Sequence, residues 1–416
     1  MSLGNQSRAG SDSTSCTFAR LMSAGKVKAA LRILSANKRG RVMGLDESVP
    51  LNSAEGDSTV PVRDVLKSKH PKAQSVYPEA LVSSQARPTH PVIFERLTGT
   101  LIRSVVLQCQ GAAGPSGLDA SSWKRMCTMY HASSKHLCDA IAASAKRLCC
   151  AHIDPAIMQP FIACRLIPLS KDPGVRPIGI CETLRRLIGK TIMRVLGSNI
   201  QAIVGTRQLC AKQKSGCEAA VHAMRTVFMA DDVEGILFVD AKNAFNSLNR
   251  SVMLRNIQAI CPAFATCVTN FYRNDAELFA GGETILSREG TTQGDPLSMA
   301  IYAIATLPLI DKAQSNLENL VQSWFADDAS AGCTLRSLVA WWSVLKNEGP
   351  MYGYFVNPPK TWLLVKDKYL DKAQRLFGDS GIQITTQGRP LLGAPIGTAP
   401  FARAFVMSKS LSGHLR

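Results

Sequence analysis

With 416 residues, 46% of them hydrophobic, the chain has the material for a sizeable core and length for about two or three average domains, which excludes a disordered or fibrous protein. Lysine and arginine number 48 against 31 acids, a formal charge of +17; the surplus favours a polyanionic partner such as nucleic acid, although a solvated basic surface gives the same count. Met1-Ser2-Leu3-Gly4-Asn5-Gln6-Ser7-Arg8 has no apolar signal core, and the longest uncharged apolar stretch, Pro296 to Ile310, is too short for a membrane span. An intracellular protein of cytoplasm or nucleus, with no membrane partner, is expected. Thirteen cysteines without a Cys-x-x-Cys pair suggest neither a disulfide framework nor a zinc site but reduced core residues, the adjacent Cys149 and Cys150 included.

In chain order, residues 1–16 are polar and rich in serine and glycine, the signature of disorder, and Phe18, Leu21, Met22, Leu31 and Leu34 then suggest a small helical pair. Residues 1–48 read as an N-terminal helical appendage with a disordered start. Prolines and serines punctuate residues 49–94, a linker on the surface with one short helix at Val62 to Lys69. Trp123, Met126, Tyr130, Leu137, Ile141 and Leu148 mostly recur at helical spacing with cations on other faces, an amphipathic core helix. No internal repeat is present.

The run Arg165-Leu166-Ile167-Pro168-Leu169-Ser170-Lys171-Asp172-Pro173-Gly174-Val175-Arg176-Pro177-Ile178 reads as strand, turn, strand. Asp172-Pro173-Gly174 builds the turn, and the flanking Lys171 and Arg176 form either an exposed basic hairpin or a pair of cations aimed at a triphosphate. Leu237-Phe238-Val239-Asp240 is an apolar strand ended by an acid, followed by Ala241-Lys242-Asn243-Ala244-Phe245-Asn246 and a helix over Leu248 to Ile260. Phe245 is either a core ring or a bulky group that collides with a ribose 2′-hydroxyl while tolerating deoxyribose.

Next, Glu289-Gly290-Thr291-Thr292-Gln293-Gly294-Asp295-Pro296-Leu297-Ser298 reads as a flexible loop entering a buried helix, with Asp295 at the cap and Pro296 at the first position. Its glycines would let backbone approach a nucleotide, and Gln293 offers amide hydrogen bonds. Trp324-Phe325-Ala326-Asp327-Asp328-Ala329-Ser330 again ends a strand-like run in acid. Asp-Asp alone is a common surface pair. Together with Asp240, however, Asp327 and Asp328 make a crowd of carboxylates that repel one another unless divalent cations neutralise them. That donor set suits nucleotidyl transfer, in which one cation activates a primer hydroxyl and another stabilises the departing pyrophosphate.

These blocks, in this order, resemble the reverse transcriptase domain of non-LTR (LINE-like) retrotransposons. The fingers motif resembles Ile167-Pro168 through Arg176-Pro177-Ile178. The first palm motif resembles Phe238-Val239-Asp240 through Phe245, the second Gln293 to Ser298, and the Phe-Ala-Asp-Asp box Phe325 to Asp328. Gly353-Tyr354-Phe355-Val356-Asn357-Pro358-Pro359-Lys360-Thr361 resembles the fourth palm motif, Leu392-Gly393 the primer-grip hairpin, and Gly114-Pro115-Ser116-Gly117-Leu118-Asp119 the element that opens the fingers. The likeness covers roughly residues 110 to 400, and ordered motifs are far more specific than single ones.

The resemblance implies an α+β fold, a right hand of fingers and palm with an antiparallel palm sheet and a thumb truncated or absent. Its expected divisions are fingers over 95–235 with N-terminal helices, palm over 236–376, and a primer-grip region with the start of a thumb over 377–416. It implies an RNA-directed DNA polymerase with two Mg²⁺ ions, or Mn²⁺ in their place, held by Asp240 and Asp327 with Asp328 in support. Phe245 would be the sugar gate, Gln293 and Gly294 would contact nucleotide and template, Lys171 and Arg176 the triphosphate, and Lys360 would protonate the leaving group. The family more often has its lysine directly after Ile-Pro, where this chain has Leu169. Implied partners are an RNA template, a DNA primer, deoxynucleoside triphosphates and a separate endonuclease chain, since no endonuclease pattern is visible. Two other readings stand beside it: a catalytically silent nucleic-acid-binding remnant or domesticated element, and an RNA-dependent RNA polymerase, against which Phe245 argues because that class resembles one with aspartate there.

Overall fold

A computed structural model of the chain describes residues 18–23, 25, 40–50, 59–83, 91–171 and 174–411. The chain divides into two units, residues 1–68 with 166–178 and residues 69–165 with 179–416. Residues 18–23 are largely helical, while Leu31 and Leu34 of the expected helical pair lie outside the described residues, as do Asp172 and Pro173 of the expected turn.

In the first unit, strands β1 (Ser48–Pro50) and β2 (Thr59–Pro61) pair antiparallel in the register Val49↔Val60, and the helix Val62–Ser68 follows at once. Val62 and Leu66, one turn apart, are its buried residues, as the 3.6-residue period dictates. The expected hairpin is present as β3 (Cys164–Ser170) and β4 (Val175–Cys181), of which Leu166–Ile178 belong to this unit, and it is closed by Lys171 N–H donating to Gly174 O at 3.0 Å. The chain at residues 41–43 adds to its edge through a Val42↔Leu169 bridge.

The second unit is built on a five-stranded sheet. Its strands are β5 (Gly235–Val239), β8 (Val321–Phe325), β9 (Asp328–Cys333), β10 (Trp362–Val365) and β11 (Gln383–Thr385), in the order β11-β10-β5-β9-β8. Between them in sequence come the hairpin of β6 (Ala276–Ala280) and β7 (Glu283–Ser287), and after them that of β12 (Gly388–Leu391) and β13 (Ala394–Gly397). Three of the four pairings in the five-stranded sheet are antiparallel, as expected; the edge pair of β10 with β11 is parallel. β5 is buried at every residue, which is why it reads as a continuous apolar run rather than an alternation.

Two sequence expectations change. The apolar series from Trp123 to Leu148 is split between the helices Ala120–Thr128 and His131–Cys150, with His131 at φ +44° and Ser134 Oγ accepting from Tyr130 N–H at the break. Cys149 is buried, but Cys150 is exposed.

Asp295 is not a helix cap. The helix starts at Ser298, and Asp295 is buried: one carboxylate oxygen accepts Leu297 N–H at 2.8 Å, the other accepts Arg185 at 2.5 Å and Tyr272 O–H at 2.7 Å. Arg185, on the helix Thr183–Val204, is buried as well, donates to Ile162 O and lies 5.0 Å from the centre of the Phe271 ring. Breaking a buried pair strands a charge in the interior and typically costs about 3–5 kcal/mol, whereas replacing both partners with apolar residues costs far less. Asp295→Ala is therefore expected to lower unfolding free energy by about that amount in urea titrations, and Arg185→Met with Asp295→Leu by much less.

Candidate active site

Asp240 is the first residue beyond β5. The register Val239↔Ala329 brings it alongside Asp328, and Phe325↔Asp328 closes the β8–β9 hairpin through Ala326 and Asp327. Two strand ends thus deliver three carboxylates to one end of the sheet. Asp240 and Asp327 are half-buried and Asp328 is exposed. The turn depends on Ala326 adopting φ +55°, a left-handed conformation that costs an alanine roughly 1–2 kcal/mol.

The fourth-motif segment braces Asp240. Asn357 donates its backbone N–H to Asp240 O at 2.8 Å and its side-chain Nδ2–H to Asp240 Oδ2 at 2.8 Å, while Lys242 N–H reaches Phe355 O at 2.7 Å. Tyr354 donates its hydroxyl to Asp327 O at 3.3 Å. Burial, then the charges of Asp327, Asp328 and Asp240 in that order, push the Tyr354 phenol well above its ordinary value of 10. All three carboxylates are therefore within electrostatic reach of one buried ring. Tyr302 is raised in the same way, by burial first and Asp327 second.

The Phe245 ring is half-buried and lies 4.7 Å from that of Tyr302, inclined at 33°. Behind it the Glu289–Asp295 loop, expected to be flexible, is pinned and buried at Glu289–Thr292 and Asp295, with Gly294 exposed. Glu289 accepts the backbone N–H groups of Arg250 and Gln74, Thr291 N–H donates to Phe245 O at 2.6 Å, and Arg250 sends its guanidinium to the carbonyls of Asn274, Ser287, Glu289 and Gly290. Two of its glycines make close approaches within the protein. Gly294, at φ +117°, approaches β4 so closely that a Cβ would stand 2.5 Å from Gly179 O, and a Cβ on Gly290 would collide with Phe245 O. Gln293 is half-buried, and its carbonyl accepts from Gly179 N–H. Lys360 is exposed on the short turn Pro358–Lys360. Lys171 and Arg176 belong to the first unit and the three carboxylates to the second.

Several site residues escaped the sequence reading. Asn357 was quoted only as part of a motif. Tyr354 stands only inside that same motif, and Gln208 and Tyr302 carry no local signal, nor do the asparagines that hold residues 69–83: Asn243 donates to Lys69 O, Asn249 to Ser75 O and Asn256 to Ala80 O.

Among the described residues, no three His, Cys, Asp or Glu side chains are gathered closely enough to hold a metal ion by themselves. Mg²⁺ is usually held by one or two carboxylates, with substrate phosphates and waters completing the shell, and the hard oxygens of Asp240 and Asp327 fit that manner of binding. Among the described residues, no helix is long and apolar enough to cross a membrane.

The site thus gathers paired carboxylates at one end of a mainly antiparallel sheet, with a bracing asparagine beside them. The family model "Reverse transcriptase (RNA-dependent DNA polymerase)" matches residues 169–387, more than half of the chain, and the chain belongs to that family. Among solved structures it is similar to an apo telomerase from Candida tropicalis truncated from its C-terminal domain, at 15% identity and a TM-score of 0.41. The match covers 57% of this chain and 54%, about half, of that one. No curated protein matches the sequence.

Burial and neighbouring charge hold Tyr272, Tyr302 and Tyr354 neutral well above 10, whereas an unfolded tyrosine ionises at about 10. Above that pH the unfolded chain releases protons that the folded chain keeps, so stability is complete below about pH 10 and falls as pH rises beyond it. Tyrosinate absorbance is expected to show these phenols ionising only together with loss of far-ultraviolet circular dichroism; ionisation ahead of unfolding would mean they are not buried.

Proposed function

We propose that the chain is an RNA-directed DNA polymerase of the non-LTR (LINE-like) kind, adding deoxynucleotides to a primer by phosphoryl transfer. The observation that carries the reading is the β5–β9 register, which assembles Asp240, Asp327 and Asp328 at one sheet end inside the family-matched segment. Asp240 and Asp327 would hold the metals, with Asp328 in support. When bound, the two Mg²⁺ ions supply activation of the primer hydroxyl and stabilisation of the leaving pyrophosphate. Asn357 orients Asp240 by occupying one of its carboxylate oxygens, leaving the other for a cation.

Phe245 is the sugar gate. Its ring is backed by Tyr302, so it cannot retreat from a ribose 2′-hydroxyl, and the bond from Thr291 N–H fixes its backbone. Gln293 and Gly294 contact nucleotide and template, Arg176 and Lys171 the triphosphate, and Lys360 the leaving group as general acid. In this reading residues 95–235 are fingers, 236–376 palm, and 377–416 the primer-grip region and start of a thumb. RNA template, DNA primer and a separate endonuclease chain are the partners.

Primer extension on an RNA template with Mg²⁺ tests the reading. Deoxynucleotide addition is expected, reduced by about 10³-fold or more in Asp327→Asn and Asp240→Asn while template binding is nearly unchanged. Equal rates in the carboxylate variants would sink the metal assignment. Template binding without extension by the wild-type chain would favour the silent nucleic-acid binder, and preference for ribonucleotides an RNA polymerase. Phe245→Ala is expected to raise ribonucleotide use relative to deoxyribonucleotide by about tenfold, and an unchanged ratio would remove the ring from the gate.

A further inference from the structure

Gln208 lies in the loop between the helices Thr183–Val204 and Gly216–Met229, far in sequence from the carboxylates, and is fully buried. Its carboxamide is spent entirely on one residue. Oε1 accepts from Ala326 N–H at 2.7 Å, and Nε2 donates to Ala326 O at 3.0 Å. The next residue continues the contact, Leu209 N–H donating to Trp324 O at 2.8 Å. β8 is an edge strand of its sheet, and Gln208 with Leu209 covers its end as a neighbouring strand would.

Ala326 is where such cover is needed. It stands at φ +55° immediately before Asp327, and a left-handed alanine persists only where its surroundings over-determine it. A bond to its N–H and another to its C=O fix both peptide planes around it. The plane that follows Ala326 sets the direction in which Asp327 leaves the backbone, and through it Asp328.

We infer that Gln208 is a positioning residue that locks the Ala326 turn and so aims Asp327 and Asp328; it touches no substrate. This rests on the polymerase reading for what the aimed carboxylates do, but the lock itself does not.

The test compares the wild-type chain with Gln208→Met, which keeps length and removes both bonds, and with Gln208→Met combined with Ala326→Gly, which lets the turn become left-handed without help. Two readouts are taken: amide hydrogen exchange of the segment Val321–Cys333, and extension kinetics. Gln208→Met is expected to exchange the turn about tenfold faster and to lower kcat by about 10²-fold, with KM for nucleotide changed by less than about 3-fold. Ala326→Gly in that background is expected to recover about tenfold in kcat, a rescue that a merely structural role would not give. Unchanged exchange overturns the lock, and faster exchange with unchanged kcat overturns its role in aiming the carboxylates. If Gln208→Met does not fold, Gln208→Glu carries the same comparison, since it keeps the acceptor and removes the donor. If the wild-type chain extends no primer, the polymerase reading fails, and exchange of the turn alone decides the lock: faster exchange supports it and unchanged exchange overturns it.

Discussion

The interaction on which the second unit turns is the buried ion pair of Arg185 with Asp295. It ties the helix Thr183–Val204 to the loop entering the helix Ser298–Gln314, and it recruits Tyr272 from a third helix to the same carboxylate oxygen. A charge pair taken out of water repays its desolvation only where the geometry is good, so the geometry around Asp295 admits little variation. That rigidity passes along the loop, through Gln293 O to Gly179 at the base of the hairpin and through Thr291 N–H to Phe245 O. A residue read as a gate at the site is thereby held by a pair of charges that never meets solvent.

Much of this site was legible because its chemistry is local. An acid ending an apolar strand, an Ala-Asp-Asp turn and a Gly-Asp-Pro loop each occupy a few consecutive residues, and their order along the chain carried more information than any one of them. What stayed hidden acts across the fold through side chains with no local signature. Gln208 and Asn357 each bond a residue more than a hundred positions away, and a glutamine or asparagine reads as a solvated side chain until its partner is known. The same holds for Asn243, Asn249 and Asn256, whose amides hold residues 69–83 in place.

Asp295 and the loop glycines both act through partners elsewhere in the fold. Asp followed by Pro fits the capping pattern, and Asp295 does accept Leu297 N–H, but the helix begins only at Ser298 and the other carboxylate oxygen is held by a buried arginine. The loop glycines were read as room for a ligand, yet at Gly290 and Gly294 the close approach is to Phe245 and to Gly179. In the first case tertiary burial outweighed local propensity. In the second, glycine marks a close approach inside the protein, while Gly294 itself stays exposed.

The carboxylates themselves are treated differently from the ion pair beneath them. Asp240 and Asp327 are half-buried and Asp328 is exposed, so water screens their repulsion: two like charges 4 Å apart repel by roughly 1 kcal/mol in water but by about 4 kcal/mol where the effective dielectric falls to 20. The turn can therefore stay assembled with three acids at one sheet end, provided that its backbone is held by groups that do not titrate nearby. The amide of Gln208 and the phenol of Tyr354, kept neutral by burial, meet that condition. In the polymerase reading, a nucleotide and template settling over the site would expel that water and sharpen the repulsion. Demand for divalent cations would then be greatest when substrate is bound, which matches a donor set of two carboxylates that relies on phosphate oxygens to complete the shell.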